Sequence, residues 1–242
     1  MPPALRPVVI LAGGLATRMR PLTEHIPKAL LEVAGKPFVD HQLANLAAQG
    51  VRDVVLCVGF LGDMVQAHVG DGSQFGLRVH FSPDGPQLLG TGGALKLAAQ
   101  RFPAVLGESL FVLYGDSYLP IEYAPVQAAF STSSKPALMT VLANGDRWDS
   151  SNVLWQNGEL QRYSKTQRSP DMQHIDYGLG LLRTGLLLNE ATERFDLAAV
   201  YEALSNQGQL AGFEVFERFY EIGSPQGLTD THNYLSNLEQ TA

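Results

Sequence analysis

From residue 7 to about residue 114 the sequence alternates short aliphatic runs with amphipathic stretches, the pattern of a largely parallel sheet covered by helices. Pro7 to Ala12 reads as the first strand. Pro37 to Gln49 places Val39, Leu43, Leu46 and Ala47 at helical spacing, and Gly50 supplies the stop. Asp53 to Val58 is the next strand, and Gly62 to Val69 a helix closed by the turn Gly70-Asp71-Gly72. Leu77 to Phe81 alternates as a strand and Thr91 to Arg101 is helical. Leu110 to Tyr114 reads as a buried strand ending at Gly115-Asp116. Asp116 is therefore expected at the carboxyl edge of the sheet, where open α/β folds take their ligands.

Beyond residue 120 the pattern loosens. Ala137 to Ala143, Val153 to Gln156 and Ile175 to Arg183 read as strands that extend the sheet and roof the cleft, with a helix over Leu197 to Asn206 and a strand over Leu210 to Phe216. Ser224-Pro225, an N-cap followed by proline at the first helical position, opens a terminal helix. The expected fold is α/β: a Rossmann-like mixed, mostly parallel sheet flanked by helices, in one domain over 1–242 with halves meeting near residue 120. At 242 residues and 45% hydrophobic content the chain can bury a core of that kind.

A formal charge of −7 argues against nonspecific binding to nucleic acid or to an anionic membrane. The single cysteine, Cys57, lies inside the apolar run Val54 to Val58 and reads as a buried strand residue. The first fourteen residues lack the charged start and long apolar centre of a secretion signal, and no run approaches membrane-spanning length, so a cytoplasmic setting is expected.

With only 17 lysines and arginines, a place where several gather is informative. The stretch from Leu11-Ala12-Gly13-Gly14 through Thr17-Arg18-Met19-Arg20-Pro21-Leu22-Thr23 to Pro27-Lys28 follows the first strand, with two glycines and three cations on one loop. Glycines let backbone N–H groups approach a phosphate, and Arg18 and Lys28 can neutralise charge that shifts as a phosphorus–oxygen bond breaks. The spacing is neither that of the phosphate loop of ordinary NTPases nor that of the dinucleotide fold. Gly90-Thr91-Gly92-Gly93, feeding a helix, has small residues against which a flat base could lie. The six histidines show no metal-ligand spacing, and no Ser, His and Asp set points to a covalent nucleophile.

Gly13, Gly14, Arg18, Met19, Pro21, Thr23, Pro27 and Lys28 match, residue by residue, the signature G-G-x-x-x-R-[ML]-x-P-x-T followed by P-K. The chain thus resembles the sugar 1-phosphate nucleotidyltransferases, nearest to members that act as mannose or heptose 1-phosphate guanylyltransferases. The resemblance implies a nucleotide-binding half to about residue 120 and a sugar-binding half beyond it. Leu11, Ala12, Gly13, Gly14, Thr17, Arg18, Gly90, Thr91, Gly92 and Gly93 would bind the nucleotide, with Arg18, Lys28 and Asp116 as catalytic residues. Asp116 would hold Mg²⁺ with Glu221, which stands in Glu221-Ile222-Gly223-Ser224-Pro225 where the family has aspartate; its extra methylene changes its reach.

On the sugar side, Lys165 falls where the family has the lysine of E-K-P, and Asp176-Tyr177-Gly178 resembles its N-A-G turn. Asp176 replaces an amide there, and a carboxylate only accepts hydrogen bonds. Gly178 belongs to that turn, and Asn152 and Asn144 are further candidates to face the sugar. The implied substrates are an NTP and a sugar 1-phosphate, without nucleic-acid or membrane partners, and the family's habit of assembling makes a homo-oligomer an expectation. The loop at Gly90 leans toward GTP, although pyrimidine-using relatives carry similar loops. A noncatalytic subunit that senses nucleotide sugars would keep the pocket while eroding the cationic loop or the metal acids, both of which are present here.

Overall fold

The structure, a computed structural model, describes residues 4–241. Strand β1 (Val8–Leu11) leads through two single turns of 3-10 helix, Thr17–Met19 and Lys28–Leu30, into the small hairpin β2 (Glu32–Val33) and β3 (Lys36–Pro37). Helix α1 (Phe38–Ala48), strand β4 (Asp53–Val58), helix α2 (Gly62–Val69) and strand β5 (Arg78–Pro83) follow. Next come α3 (Gly90–Arg101), the single turn α4 (Pro103–Leu106), β6 (Ser109–Tyr114), the two-residue β7 (Ser117–Tyr118) and α5 (Tyr123–Thr132). Strands β8 (Ala137–Ala143), β9 (Val153–Gln156), β10 (Glu159–Tyr163) and β11 (His174–Arg183) precede α6 (Thr184–Leu188) and α7 (Leu197–Asn206). The chain closes with β12 (Leu210–Val215), β13 (Tyr220–Glu221) and α8 (Pro225–Thr241).

Strand β1 explains the layering. Val8 and Ile10 point to one face and bury against Val39 and Leu43 of α1, Val65 of α2 and Val126 of α5. Val9 points the other way, against Ala94 and Leu95 of α3 and Leu197 and Tyr201 of α7. A strand buried on both faces reads as a continuous apolar run, and each fully buried side chain of this size contributes about 1.5–3 kcal/mol. Both neighbours of β1, β4 and β6, run parallel to it, and β5 runs parallel to β4. On the other side β11 pairs antiparallel with β6 and β8, β12 runs parallel to β8, and the β9–β10 hairpin joins the end of β11. The two halves of the chain therefore share one mixed sheet of nine strands, flanked by helices as expected.

Local signals set the ends of elements. Gly50, at φ 86, receives the end of α1: its N–H bonds the Ala47 carbonyl while the Val51 N–H bonds that of Leu46, a Schellman closure. Ser224 caps α8, its Oγ accepting the Gly227 N–H at 3.0 Å. Helix α5 and strand β10 were not anticipated from the sequence. In α5, Pro125 at the third position obscures the start, and no side chain caps the helix. Leu11 is level with Cys57 on one side and Tyr114 on the other, so β1, β4 and β6 end along one edge, with β5 beside β4.

Candidate active site

At that edge lies a cleft of about 280 Å³ lined by Leu11 to Gly14, Lys28, Asp84, Gly90, Thr91, Tyr114 to Asp116 and Asp196, among others. A side chain on Gly115 would stand 2.5 Å from the Leu11 carbonyl, so the turn after β6 can press against the turn after β1 only as glycine. Gly14 differs: it lines the cleft, and a Cβ there would meet open space. The missing side chain leaves the backbone there open to the cleft. Met19 and Thr23 of the same motif serve the loop itself. Met19 is buried, and the Thr23 hydroxyl donates to the Ala16 carbonyl at 2.9 Å. Thr17 lies in the 3-10 turn, is exposed and does not line the cleft.

Charges meet beside the loop. Lys28 Nζ lies 2.6 Å from Asp116 Oδ2. Glu221 reaches the same place because β13 pairs antiparallel with β7, Glu221 facing Ser117, and the Ile222 N–H bonds the Asp116 carbonyl at 2.9 Å. Gly223 marks the point of convergence. An ideal Cβ on it would lie 2.8 Å from Glu221 Oε2, 3.2 Å from Asp116 Oδ2 and 3.3 Å from Arg18 Nη2. Two carboxylates this close repel unless cations accompany them, and Lys28 and Arg18 do so here. The extra methylene of Glu221 is absorbed by curling the side chain back over its own turn. Its Oε2 accepts the Gly223 N–H, its Oε1 accepts the Ser224 hydroxyl, and a Cβ on Gly227 would collide with Oε1. Hard oxygen donors from two carboxylates suit a magnesium-like ion, which takes one or two such ligands and completes its shell with phosphate and water. No larger His, Cys, Asp and Glu cluster able to hold a metal occurs among the described residues.

The glycine-rich first turn of α3 divides into two parts. Gly90 and Thr91 line the cleft. Gly92 and Gly93, expected to receive a base along with them, do not line it. Their N–H groups bond the Phe195 carbonyl at 2.9 and 3.1 Å, and their missing side chains make room for the Phe195 ring and the Glu193 carbonyl. These two glycines let the segment before α7 cross the start of α3. Asp84, which sequence reasoning missed, stands at the end of β5 with one carboxylate oxygen buried and unpartnered and the other taking the Leu89 N–H at 3.4 Å. Burial raises its pKa, against the pull of that N–H and of Arg101. Its only sequence signal was its place at the end of a strand. Cys57 is fully buried at the base of the cleft, where burial pushes its thiol far up and leaves it inert.

Among the residues expected to face the sugar, Asp176 Oδ2 accepts the Tyr114 hydroxyl at 3.3 Å, and Lys165 Nζ lies 5.7 Å from the centre of the same ring. Lys165, Asp176 and the cleft-lining Tyr114 are thereby brought together. Burial raises the pKa of Asp176 despite Lys165 and the Gly178 N–H. Gly178, at φ 99, sits in the irregular stretch where β11 changes register against β8. Asn152 and Asn144 serve the backbone. Asn152 Oδ1 accepts the Asp176 N–H at 2.9 Å, and Asn144 ties Asp149, Ser151 and Trp148 into a turn.

Among the described residues no helix is long and apolar enough to cross a membrane. Residues 7–151 match the family model described as nucleotidyl transferase. The N-acetylmuramate alpha-1-phosphate uridylyltransferase of Caulobacter vibrioides is 31% identical over 229 residues, 90% of this chain and 92% of that one. The Neisseria meningitidis protein of the same name is 38% identical over 126 residues, 52% of each chain. The mannose-1-phosphate guanyltransferase of Gibberella zeae is 29% identical over 241 residues; the match covers 95% of this chain but 64% of that longer protein. Among solved structures, HddC from Yersinia pseudotuberculosis complexed with GMP-PN superposes with a TM-score of 0.78 at 22% identity, covering 96% of this chain and 100% of that one. Fold, signature loop and relatives agree, and the chain belongs to the nucleotidyl transferase family, as an enzyme of its sugar 1-phosphate nucleotidyltransferase group.

Proposed function

We propose that the protein transfers a nucleoside monophosphate from an NTP, with GTP favoured, to a mannose- or heptose-type sugar 1-phosphate. An oxygen of the sugar phosphate attacks the α-phosphorus, the bond to the β-phosphate oxygen breaks, and pyrophosphate leaves with that electron pair. No protein nucleophile is needed. The observation that carries the reading is the convergence of Asp116, Glu221 and Arg18 on Gly223, beside a glycine lip and Lys28. Arg18 and Lys28 would stabilise charge on the transferring and leaving groups, while Lys165 orients the incoming phosphate above Tyr114. Asp116 and Glu221 would hold Mg²⁺, which when bound neutralises charge on the phosphates. Release of Lys28 from Asp116 accompanies substrate binding in this scheme.

The choice of GTP draws support from Asp84. A carboxylate only accepts, and the ring N–H and 2-amino group of guanine offer adjacent donors, whereas uracil offers one N–H between two repelling carbonyls. The mannose-1-phosphate guanyltransferase relative is consistent with this choice. A uridylyl reading is favoured instead by the N-acetylmuramate alpha-1-phosphate uridylyltransferases among the relatives. Pyrophosphate release, measured for GTP, UTP, CTP, dTTP and ATP against a panel of sugar 1-phosphates, tests both. GTP turnover is expected to lead; a clear preference for a pyrimidine nucleotide would transfer the assignment. Tight nucleotide-sugar binding with no release from any pair would make the protein a sensor.

A further inference from the structure

We infer that Asp196, carried into the nucleotide cleft by the segment between α6 and α7, is a specificity-determining residue that accepts a hydrogen bond from an N–H or O–H donor of the nucleoside. The inference rests on the nucleotidyl-transfer reading and adds to it a residue from the far half of the chain.

The segment is built to stay where it lies. Lys96, buried on α3, donates from its ammonium to the Glu190 and Thr192 carbonyls and to Glu193 Oε1 at 3.0, 3.3 and 2.8 Å. The Phe195 N–H bonds the Leu89 carbonyl at 3.1 Å, and the Leu197 N–H bonds Thr91 Oγ1 at 2.8 Å. A side chain at Gly90 would strike the Phe195 carbonyl at 2.6 Å. The turn that faces the ligand is thus clasped by this segment, and Asp196 is the residue of the segment that lines the cleft.

Asp196 also forgoes its usual use. It holds the N-cap position of α7, where an aspartate side chain normally takes an N–H of the first turn, yet it makes no such bond. Its Oδ1 turns to the Thr91 N–H at a long 3.4 Å instead, which leaves most of the acceptor capacity of the carboxylate unspent. A carboxylate facing a triphosphate opposes binding unless it finds a donor. Asp196 and Asp84 flank the Leu89 to Thr91 turn and both line the cleft, with Asp84 Oδ2 3.6 Å from where a Cβ on Gly13 would stand. The donors a nucleotide offers to a carboxylate are the N–H groups of its base and the hydroxyls of its ribose.

The test compares wild type with Asp196→Asn and Asp196→Ala in pyrophosphate release, using GTP, ITP, 2′-deoxy-GTP, UTP and 2′-deoxy-UTP. The asparagine keeps an oxygen for the Thr91 N–H, and with no cap bond to lose both variants should melt as the wild type does. The KM for the preferred triphosphate is expected to rise about tenfold to a hundredfold with kcat changed less than about threefold. Discrimination should collapse against ITP if the donor is the 2-amino group, or against the deoxynucleotide if it is the ribose; either outcome supports the assignment. An unchanged KM and unchanged discrimination in an active enzyme would overturn it. Failure of the nucleotidyl-transfer reading is distinct, since the wild type itself would then release no pyrophosphate.

Discussion

Gly223→Ala places a methyl group where Glu221, Asp116 and Arg18 converge, and its consequences can be worked from the distances. The φ of Gly223 lies outside the left-handed region, so alanine brings no backbone strain. Fewer unfolded conformations should stabilise the variant by about 0.4–1 kcal/mol. Against this, the methyl would stand 2.8 Å from Glu221 Oε2 and push the carboxylate off the Gly223 N–H. Losing that charge-assisted bond costs about 1.5–3 kcal/mol. The net loss is about 0.5–2.6 kcal/mol, a fall in Tm of about 1–10 °C for a chain of this length. Activity should suffer far more, because the methyl fills the space between the groups proposed to hold the cation and the phosphate. Loss of one preorganised electrostatic contact typically lowers turnover by about two to three orders of magnitude, or about 3–4 kcal/mol. Pyrophosphate release titrated with Mg²⁺, beside thermal melts, separates the two effects. Turnover within about threefold of wild type, a change of less than about 1 kcal/mol, would refute the claim that chemistry occurs at this point.

Arg18→Ala should lower kcat by about two to three orders of magnitude with little change in Tm, because the side chain is exposed and serves charge rather than packing; pyrophosphate release at saturating substrate checks it, and undiminished turnover would remove Arg18 from the mechanism. Asp176→Asn should change stability with pH in a definite direction. Burial holds the folded pKa of Asp176 above its ordinary value, so the wild type loses stability as pH rises through the folded pKa and the group must ionise. The amide does not ionise, so in melts from pH 4 to pH 8 the variant should gain on the wild type as pH rises. A variant that loses ground with rising pH would mean that Lys165 favours the ionised carboxylate.

Much of the fold was legible because the parallel strands are short, fully buried and separated by glycine-marked turns; Asp53–Val58, Gly62–Val69 and Ala137–Ala143 match the sequence reading end to end. The β9–β10 hairpin escaped notice although Asn157 and Gly158, at φ 55 and 77, form the Asn-Gly turn that joins such strands. The short pair β7 and β13 could not be read at all: two-residue strands have no period, and only the tertiary fold brings Tyr220 beside Tyr118. That pair nevertheless carries Glu221 to Asp116, a meeting for which the resemblance alone spoke. The glycines of the Gly90 turn show the opposite failure. Small residues signal close approach without saying of what, and at Gly92 and Gly93 the approaching groups are the chain's own Phe195 ring and Glu193 carbonyl. Asp84 and Asp196 lie outside any recognisable pattern, because a single carboxylate at a strand or helix end looks the same whether it caps a turn or faces a ligand.

The most direct trial of the central claim is anomalous diffraction from crystals soaked with Mn²⁺ and GDP-mannose. A peak within coordination distance of both Asp116 and Glu221, lost in an Asp116→Asn crystal, is the expected result. A peak on the nucleotide phosphates that touches neither carboxylate, or one unaltered by the substitution, would contradict it.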